Sequence, residues 1–183
     1  MKLPKLNILD EKSKTLRMIS QPVVFPLSNK DIQLIKDIEV FLKMSQIEES
    51  REKYKLRAGM GLAFIQLGLP KQIFVIVNEE EENEFKNYIV INPKIRSISE
   101  EQVFVGEGEG CLSVNRPTIG IVPRRARMNV DAYDINGNSY TIRVREELAI
   151  AFQHEIDHLN GILFIDKIDP KNPFKDREKM REI

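Results

Sequence analysis

The chain has 183 residues, 42% of them hydrophobic, which is enough for one domain with a buried core. Its 28 lysines and arginines balance its 28 aspartates and glutamates, so charge gives no reason to expect nucleic acid or an anionic membrane as the main partner. The single cysteine excludes an internal disulfide, and the lack of a long apolar run argues against a transmembrane helix, a secretion signal or a transit peptide. We therefore expect a cytoplasmic protein.

The first part of the chain predicts an irregular segment followed by one helix. Prolines at positions 4, 22 and 26 prevent a long helix within residues 1–27. The sequence Ser-Asn-Lys-Asp at residues 28–31 has the character of a capping box, and apolar residues follow at helical spacing at Leu34, Ile35, Ile38, Phe41 and Leu42. We expect an amphipathic helix that packs on the core and extends toward Tyr54.

Two glycine-rich stretches, residues 59–68 and 106–110, contain six of the nine glycines. Glycine is needed where the backbone takes a positive φ or approaches a ligand closely, so we predict that both stretches form walls of a cleft. The alternative is two ordinary turns. A phosphate-binding loop is not indicated, because the P-loop lysine and the Rossmann glycine spacing are both missing.

The middle of the chain predicts antiparallel strands. Residues 73–77 and 88–91 are strand-like, and the acidic run at residues 79–84 between them is predicted to be an exposed hairpin loop. Two further strands are indicated by alternating apolar residues, at Met128, Val130 and Ala132 and at Tyr140, Ile142 and Val144. Asn136 and Gly137 predict a two-residue turn between them. The arginines at positions 124, 125 and 127 are interpreted as surface residues.

Residues 153–161, Gln-His-Glu-Ile-Asp-His-Leu-Asn-Gly, hold both histidines of the chain. Apolar residues recur at helical spacing at Leu148, Phe152, Ile156 and Leu159. Residues i and i+4 of a helix lie one above the other, so His154 and His158 can face one ion. His-Glu-x-x-His on a helix is a metal-hydrolase signature, in which Glu155 transfers protons. The alternative is a pair of structural histidines.

Two histidines leave a catalytic metal short of one protein ligand, because such sites usually have three. One candidate is Cys111, the only cysteine of the chain. The others are the downstream carboxylates Asp166, Asp169, Asp176, Glu178 and Glu182. A carboxylate ligand would suit a zinc endopeptidase, and a structural metal site in a non-enzymatic binding module is a further alternative.

Three segments resemble the three motifs of peptide deformylases, in the order of that family. They are Gly-x-Gly-Leu-Ala-x-x-Gln at residues 59–66, Glu-Gly-Cys-Leu-Ser at 109–113 and Gln-His-Glu-x-Asp-His-Leu-x-Gly at 153–161. The expected fold is α+β, with antiparallel sheets around a central metal-binding helix. Residues 1–183 are expected to form one catalytic domain, with an N-terminal extension at 1–14 and a charged tail at 169–183.

The resemblance also implies an activity and its partners. The chain would remove the N-formyl group from N-formylmethionyl nascent peptides and release formate, with transient ribosome association. The cofactor implied is iron(II), although one thiolate and two imidazoles also accept zinc, nickel or cobalt. Phe64 stands where the family usually has alanine, so we expect different packing behind Gln66.

The resemblance assigns a role to each residue of the site. The metal ligands are Cys111, His154 and His158. Glu155 is the general acid and base, and the formyl oxygen receives hydrogen bonds from the Gln66 side chain and the Leu112 backbone N–H. The residues expected to contact the substrate are Gly61 and Gly110 along its backbone, and Met60, Ile150 and Ala151 around its methionine side chain.

Overall fold

The computed structural model describes residues 2–82 and 84–183. The helices are α1 (Asn29–Gln46), α2 (Glu48–Tyr54) and α3 (Glu146–Leu159), with 3-10 turns at Lys14–Arg17, Phe64–Leu67, Phe164–Lys167 and Arg177–Lys179. The strands are β1 (Gly61–Ala63), β2 (Ile73–Glu81), β3 (Glu84–Ile98), β4 (Gln102–Phe104), β5 (Arg124–Arg125), β6 (Arg127–Tyr133), β7 (Ser139–Arg145) and β8 (Arg181–Glu182).

Five strands form the main sheet in the order β1-β2-β3-β6-β7, and every neighbouring pair is antiparallel. A smaller sheet has the order β5-β4-β8, with β8 parallel to β4. Helix α3 packs on one face of the main sheet, where the Phe152 ring meets the Phe74 ring edge-on at 5.5 Å. The predicted α+β fold with antiparallel sheets around a central helix is confirmed.

Strand β2 is buried on both faces, which explains its uninterrupted apolar sequence. Because side chains alternate along a strand, Phe74 and Ile76 point into the core beneath α3. Ile73, Val75 and Val77 point into a second core on the other face, which α1 covers. The sheet is therefore a rigid layer between α1 and the helix that carries both histidines.

The first helix begins as predicted and ends earlier. The Ser28 hydroxyl accepts a hydrogen bond from the Asp31 N–H at 3.1 Å, as an N-cap should. Helix α1 ends at Gln46, because Ile47 is extended and a separate helix, α2, starts at Glu48. The Gln46 amide donates to the backbone carbonyl of Val77 at 2.9 Å, which ties this helix end to β2.

The β2–β3 hairpin is longer than predicted. Strand β2 runs to Glu81 and β3 starts at Glu84, so most of the acidic run is strand; Asn83 lies outside the described residues. Backbone pairing continues because these side chains are exposed and the charges stay in water. Strand β3 also continues past Pro93, since Asn92 has a φ of 49° and the register shifts there, leaving proline at an irregularity.

The predicted pairing of β6 with β7 is present, but the turn differs. The last pair is Tyr133 with Ser139, so five residues, 134–138, connect the strands instead of two. The Asp134 carboxylate accepts backbone hydrogen bonds from Asn136 and Asn138 at 2.8 and 2.9 Å, which stabilises the wider loop. The Asn-Gly pair is therefore part of a longer turn, with Gly137 at a φ of 84°.

The stretch expected to be a charged tail at residues 169–183 is bound to the rest of the molecule. Strand β8 pairs with β4, and the Arg181 guanidinium makes two hydrogen bonds of 2.8 Å to the Glu146 carboxylate at the start of α3. Ile183 packs beside a small core that contains Ile150. No helix in the described part of the chain is long and apolar enough to cross a membrane.

Candidate metal centre and cleft

Helix α3 presents its two histidines on one side, with ring centroids 4.9 Å apart. The Cys111 sulfur lies 3.3 Å from Nε2 of His158, and one donor atom from each of Cys111, His154 and His158 lies within 4.8 Å of the others. The fold therefore brings the predicted three ligands together. Among the described residues, the downstream carboxylates do not join this cluster; Asp166, Asp169, Asp176 and Glu182 pair instead with arginines or lysines.

The donor set and its surroundings fit a divalent metal ion. One thiol and two imidazoles are the ligand types that zinc and iron-group ions accept, and both Cys111 and His158 are buried. Burial lowers the pKa of His154, but hydrogen bonds to Cys111 and Glu109 outweigh it and raise that pKa to about 10. The Glu109 carboxylate, which favours a proton on His154, also favours a cation beside that ring.

A cavity of about 310 Å³ opens beside this cluster. Both glycine-rich stretches line it, as predicted, and residues of α3 form another part of its wall. The residues that the sequence assigns to the site and that line the cavity are Met60, Gly61, Gln66, Gly110, Cys111, Leu112, Ile150, Ala151, His154 and Glu155. Cys111 and His154 thus line a cleft that also has an apolar part, whereas His158 is not one of its lining residues.

Comparisons with known proteins identify related chains. The family model for polypeptide deformylase matches residues 5–174. A peptide deformylase of Oceanobacillus iheyensis is 46% identical, covering 97% of each chain, and peptide deformylase 2 of Bacillus subtilis is 42% identical, covering 94% of each. The crystal structure of a peptide deformylase from Thermotoga maritima superposes with a TM-score of 0.71 at 28% identity, covering 90% of this chain and 98% of that one.

The chain belongs to the polypeptide deformylase family. Enzymes of this family are metal-dependent hydrolases that remove the N-formyl group from nascent N-formylmethionyl peptides. The predicted family and enzyme class are therefore confirmed. The Cys111, His154 and His158 cluster is where this family member could hold its metal.

A buried ionic network supports the metal-ligand side of this deformylase site. Arg124 is only 1% exposed; its guanidinium binds the Glu109 carboxylate at 2.6 and 2.8 Å and the Asp157 carboxylate at 2.5 Å. Glu109 in turn contacts Nδ1 of His154 at 3.0 Å. Burial raises the pKa of Glu109, but hydrogen bonds to Arg124 and His154 lower it to about 2. Glu109 is therefore an anion that orients the ring of His154.

The interpretation of Arg124 as a surface residue is wrong, because its side chain is buried and its charge is balanced by the carboxylates of Glu109 and Asp157 rather than by water. Glu109 and Asp157 were also missed. Glu109 lies two residues before Cys111 and Asp157 one residue before His158. Metal-bound histidines usually donate their second ring N–H to a carboxylate or carbonyl, so acidic residues beside the ligands were the available signal.

Glu155 faces the cleft and differs from Glu109. It is 3% exposed, and its Oε2 has no hydrogen-bond partner among the described residues. Burial raises its pKa to about 7. The carboxylate lies directly over Gly61, where an added Cβ would be 2.9 Å from the Glu155 Cδ. Glycine at position 61 thus makes the space that Glu155 occupies.

Gln66 is held from several sides in the wall of the cleft. Its side-chain carbonyl oxygen accepts from the Ala63 N–H at 2.8 Å. Its side-chain amide donates to the Ser113 hydroxyl at 3.1 Å and toward the Cys111 sulfur at 3.6 Å. Phe64, the residue that departs from the family pattern, is fully buried in the core beneath α1. Gln66 therefore has a fixed orientation with an amide N–H directed toward the metal ligands.

Proposed function

We propose that this chain removes the formyl group from the N-terminal formylmethionine of nascent polypeptides and releases formate, with Glu155 as general acid and base. The observation that carries this proposal is the convergence of one thiol and two imidazoles within 4.8 Å, beside a buried carboxylate that has an oxygen without a hydrogen-bond partner in the described part of the chain. Membership of the deformylase family supports the same reaction.

Cys111, His154 and His158 are the proposed metal ligands. When bound there, a divalent cation polarises the formyl carbonyl and lowers the pKa of water from about 15.7 toward about 7. Iron(II) is the proposed native metal on the strength of the family resemblance. Zinc, nickel and cobalt suit the same donors, so elemental analysis of anaerobically purified protein decides between them.

Glu155 is the proposed proton carrier. Its side chain lines the cleft next to His154, and no hydrogen bond from residues 2–82 or 84–183 fixes its Oε2. A general base is most effective when its pKa lies near the working pH, and burial raises the pKa of Glu155 to about 7. Glu155 takes the proton of the attacking water and gives it to the amine that leaves.

Gln66 and Leu112 are the proposed donors to the formyl oxygen as it gains negative charge. Gln66 is 1% exposed and its carbonyl end is fixed by Ala63, so its amide needs little reorganisation. Leu112 follows the ligand Cys111 directly and lines the same cleft. Removing one such donor typically raises the barrier by about 2.7–4 kcal/mol.

The substrate is proposed to bind as an extended strand between the two glycine-rich walls. Strand β1, which contains Gly61, is at the edge of the main sheet and can pair with a peptide. A Cβ added at Gly110 would meet no protein atom within 4 Å, so this wall faces open cleft. Met60, Ile150 and Ala151 supply the apolar surface for the methionine side chain.

The remaining parts of the proposal concern where the enzyme works. Residues 1–183 act together as one catalytic domain in the cytoplasm, and transient association with the ribosome would bring the cleft to newly made N-termini. The many contacts of both terminal segments with the rest of the molecule support the first part, including the Arg181–Glu146 ion pair.

The test is formate release from a formyl-Met tripeptide by protein prepared without oxygen and loaded with iron(II). Wild-type protein should release formate, whereas Cys111→Ser should lose both metal and activity. A zinc endopeptidase with a carboxylate ligand would keep its metal in Cys111→Ser and cleave internal peptide bonds. A structural metal module would release no formate with any metal, and either result contradicts the proposal.

A further inference from the structure

The N-terminal segment makes backbone hydrogen bonds to two segments of the candidate site, one containing Gln66 and one containing Ser113. The Leu9 N–H donates to the backbone carbonyl of Gln66 at 2.8 Å, and the Glu11 N–H donates to the backbone carbonyl of Ser113 at 2.7 Å. Gln66 and Ser113 belong to different motifs, so residues 9–11 join the two loops that carry the proposed formyl-oxygen donors. We call residues 9–11 the N-terminal clasp.

Asp10 extends this connection to the Cys111 loop through side chains. Its Oδ2 accepts from the Asn115 amide at 3.0 Å, and its Oδ1 accepts from the Lys12 N–H at 3.1 Å. The Asn115 Oδ1 accepts from the Arg57 guanidinium at 2.6 Å. Arg57 then donates from its other terminal nitrogen to two backbone carbonyls, those of Cys111 at 2.8 Å and Val114 at 2.9 Å.

The turn that Arg57 holds contains both a proposed metal ligand and a proposed donor. Val114 N–H closes it on the Cys111 carbonyl at 3.1 Å, with Leu112 between them. Donors to a developing oxyanion act only within about 2.7–3.1 Å of it, and a displacement of about 1 Å can cost roughly 100-fold in rate. The distance between the Gln66 side-chain amide and the Leu112 backbone N–H must therefore stay constant.

We propose that the N-terminal clasp keeps this distance, and that Asp10 is a positioning residue which acts through Asn115 and Arg57. This inference rests on the proposed function, because it assigns the clasp to the donors named there. An ion pair adds to the attachment: the Arg116 guanidinium binds the Glu11 carboxylate at 2.9 and 3.2 Å. Residues 9–11 are accordingly part of the catalytic apparatus rather than of a dispensable extension.

The Asp10–Asn115 pair permits a test by exchanging the two side chains. In Asp10→Asn, only one acceptor oxygen remains for two donors, so the new amide N–H2 opposes either the Asn115 amide N–H2 or the Lys12 N–H. In Asn115→Asp, two carboxylates face each other. In the double variant, the amide introduced at position 10 donates to the carboxylate introduced at position 115. The amide oxygen at position 10 still accepts from Lys12, and the carboxylate at position 115 still accepts from Arg57. Each single variant therefore opposes two like groups at one point of the hydrogen-bond chain, and the double variant satisfies every group in it.

We expect each single variant to lower kcat for formyl-Met-Ala-Ser by about 3- to 10-fold, the effect of one hydrogen bond, with KM and metal content unchanged. The double variant should return to within about 2-fold of wild type. A second readout is independent of turnover: backbone amides of residues 111–114 in the metal-loaded protein should exchange hydrogen faster in each single variant and at the wild-type rate in the double variant.

Asp134→Asn is the matched control, because Asp134 also accepts from an asparagine amide, that of Asn138 at 3.0 Å, but in the β6–β7 turn. It should change neither kcat nor exchange at residues 111–114. Single variants with less than about 2-fold change in kcat and normal exchange overturn the proposal, as does a double variant that recovers neither. If wild type releases no formate while the exchange pattern appears as expected, the clasp stands and the proposed function falls.

Discussion

Two buried glutamates lie beside His154, and each belongs to a different side of the site. The pKa values of their carboxyl groups are shifted in opposite directions. On the anchoring side (Glu109, Arg124 and Asp157), the Glu109 oxygens are bound by Arg124 and His154, and the pKa of Glu109 is about 2. On the reaction side (Glu155 and Gln66), Oε2 of Glu155 has no partner among the described residues, and the pKa of Glu155 is about 7.

Burial disfavours ionisation of both carboxyl groups, so burial alone does not explain the difference. The decisive factor is an adjacent cation with hydrogen bonds to the anion, which Glu109 has and Glu155 lacks within the described part of the chain. The same residue type is thus a permanent anion at one position and the proposed proton-exchanging group at the other.

The largest effect is expected for Glu155→Gln, which keeps the shape of the reaction side but cannot carry a proton. We expect kcat to fall by about 10²- to 10⁴-fold, the usual contribution of general acid–base catalysis. Metal content and the free energy of unfolding should stay near wild type. Glu52→Gln, on the exposed surface of α2, is the control. Near-normal formate release by Glu155→Gln would remove Glu155 from the mechanism.

On the anchoring side, Arg124→Met should act on stability. It leaves the buried Glu109 carboxylate without its cation and removes one of the two cations of Asp157, which Lys167 still contacts at 2.9 Å; breaking a buried ion pair in this way costs about 3–5 kcal/mol of unfolding free energy. The neighbouring Arg125→Met removes an exposed guanidinium and should cost less than about 1 kcal/mol. Urea denaturation of both variants measures the difference; equal midpoints would argue against a stabilising role for the buried network.

Glu109→Gln is expected to have an effect of intermediate size. The amide still fills the space, but it no longer offers His154 and Arg124 an anion. Carboxylates that orient metal-bound histidines typically contribute about 10- to 100-fold to metal affinity, and we expect a loss of that size. Competition with a chelator of known affinity measures it. Unchanged affinity would mean that the anchoring side stabilises the fold without tuning the metal ligands.

The smallest effect on folding is expected at Gly110. An added methyl group there meets no protein atom within 4 Å, so Gly110→Ala should change the unfolding free energy by less than about 0.5 kcal/mol while raising KM, since the methyl group enters the cleft. Gly108→Ala is the contrast: Gly108 has a φ of 85°, and alanine in the left-handed region costs about 1–2 kcal/mol. A normal KM in Gly110→Ala would move the substrate away from this wall.

The helix with His154, Glu155 and His158 could be predicted from the sequence, because i and i+4 positions share a helix face whatever surrounds them. Cys111 needed the family resemblance, since a fold of several strands brings it from 47 residues away to His158. The interpretation of Arg124 as a surface residue was wrong for a similar reason. Its partners are 15 and 33 residues distant, and three nearby arginines look like an exposed cluster when only local composition is considered.

Backbone interactions were the least predictable part. The clasp depends on N–H groups of Leu9 and Glu11, and every residue type except proline has such a group, so composition carries no signal for it. The continuation of β3 past Pro93 depends on the positive φ of Asn92, and the wider β6–β7 turn depends on the Asp134 side chain. The clasp joins distant parts of the chain, whereas the other two features depend on local backbone geometry that composition does not specify.

The sulfur of Cys111 also determines how the protein is inactivated by oxidation in air. Oxidation of a thiol first gives a sulfenic acid, which cells usually rescue by condensing it with a second thiol. The chain has no second cysteine, so rescue of an oxidised Cys111 depends on a thiol that enters the cleft. Without such a thiol, oxidation continues to the sulfinic acid, which ordinary reductants do not reverse, and dithiothreitol added after that stage should recover little enzyme.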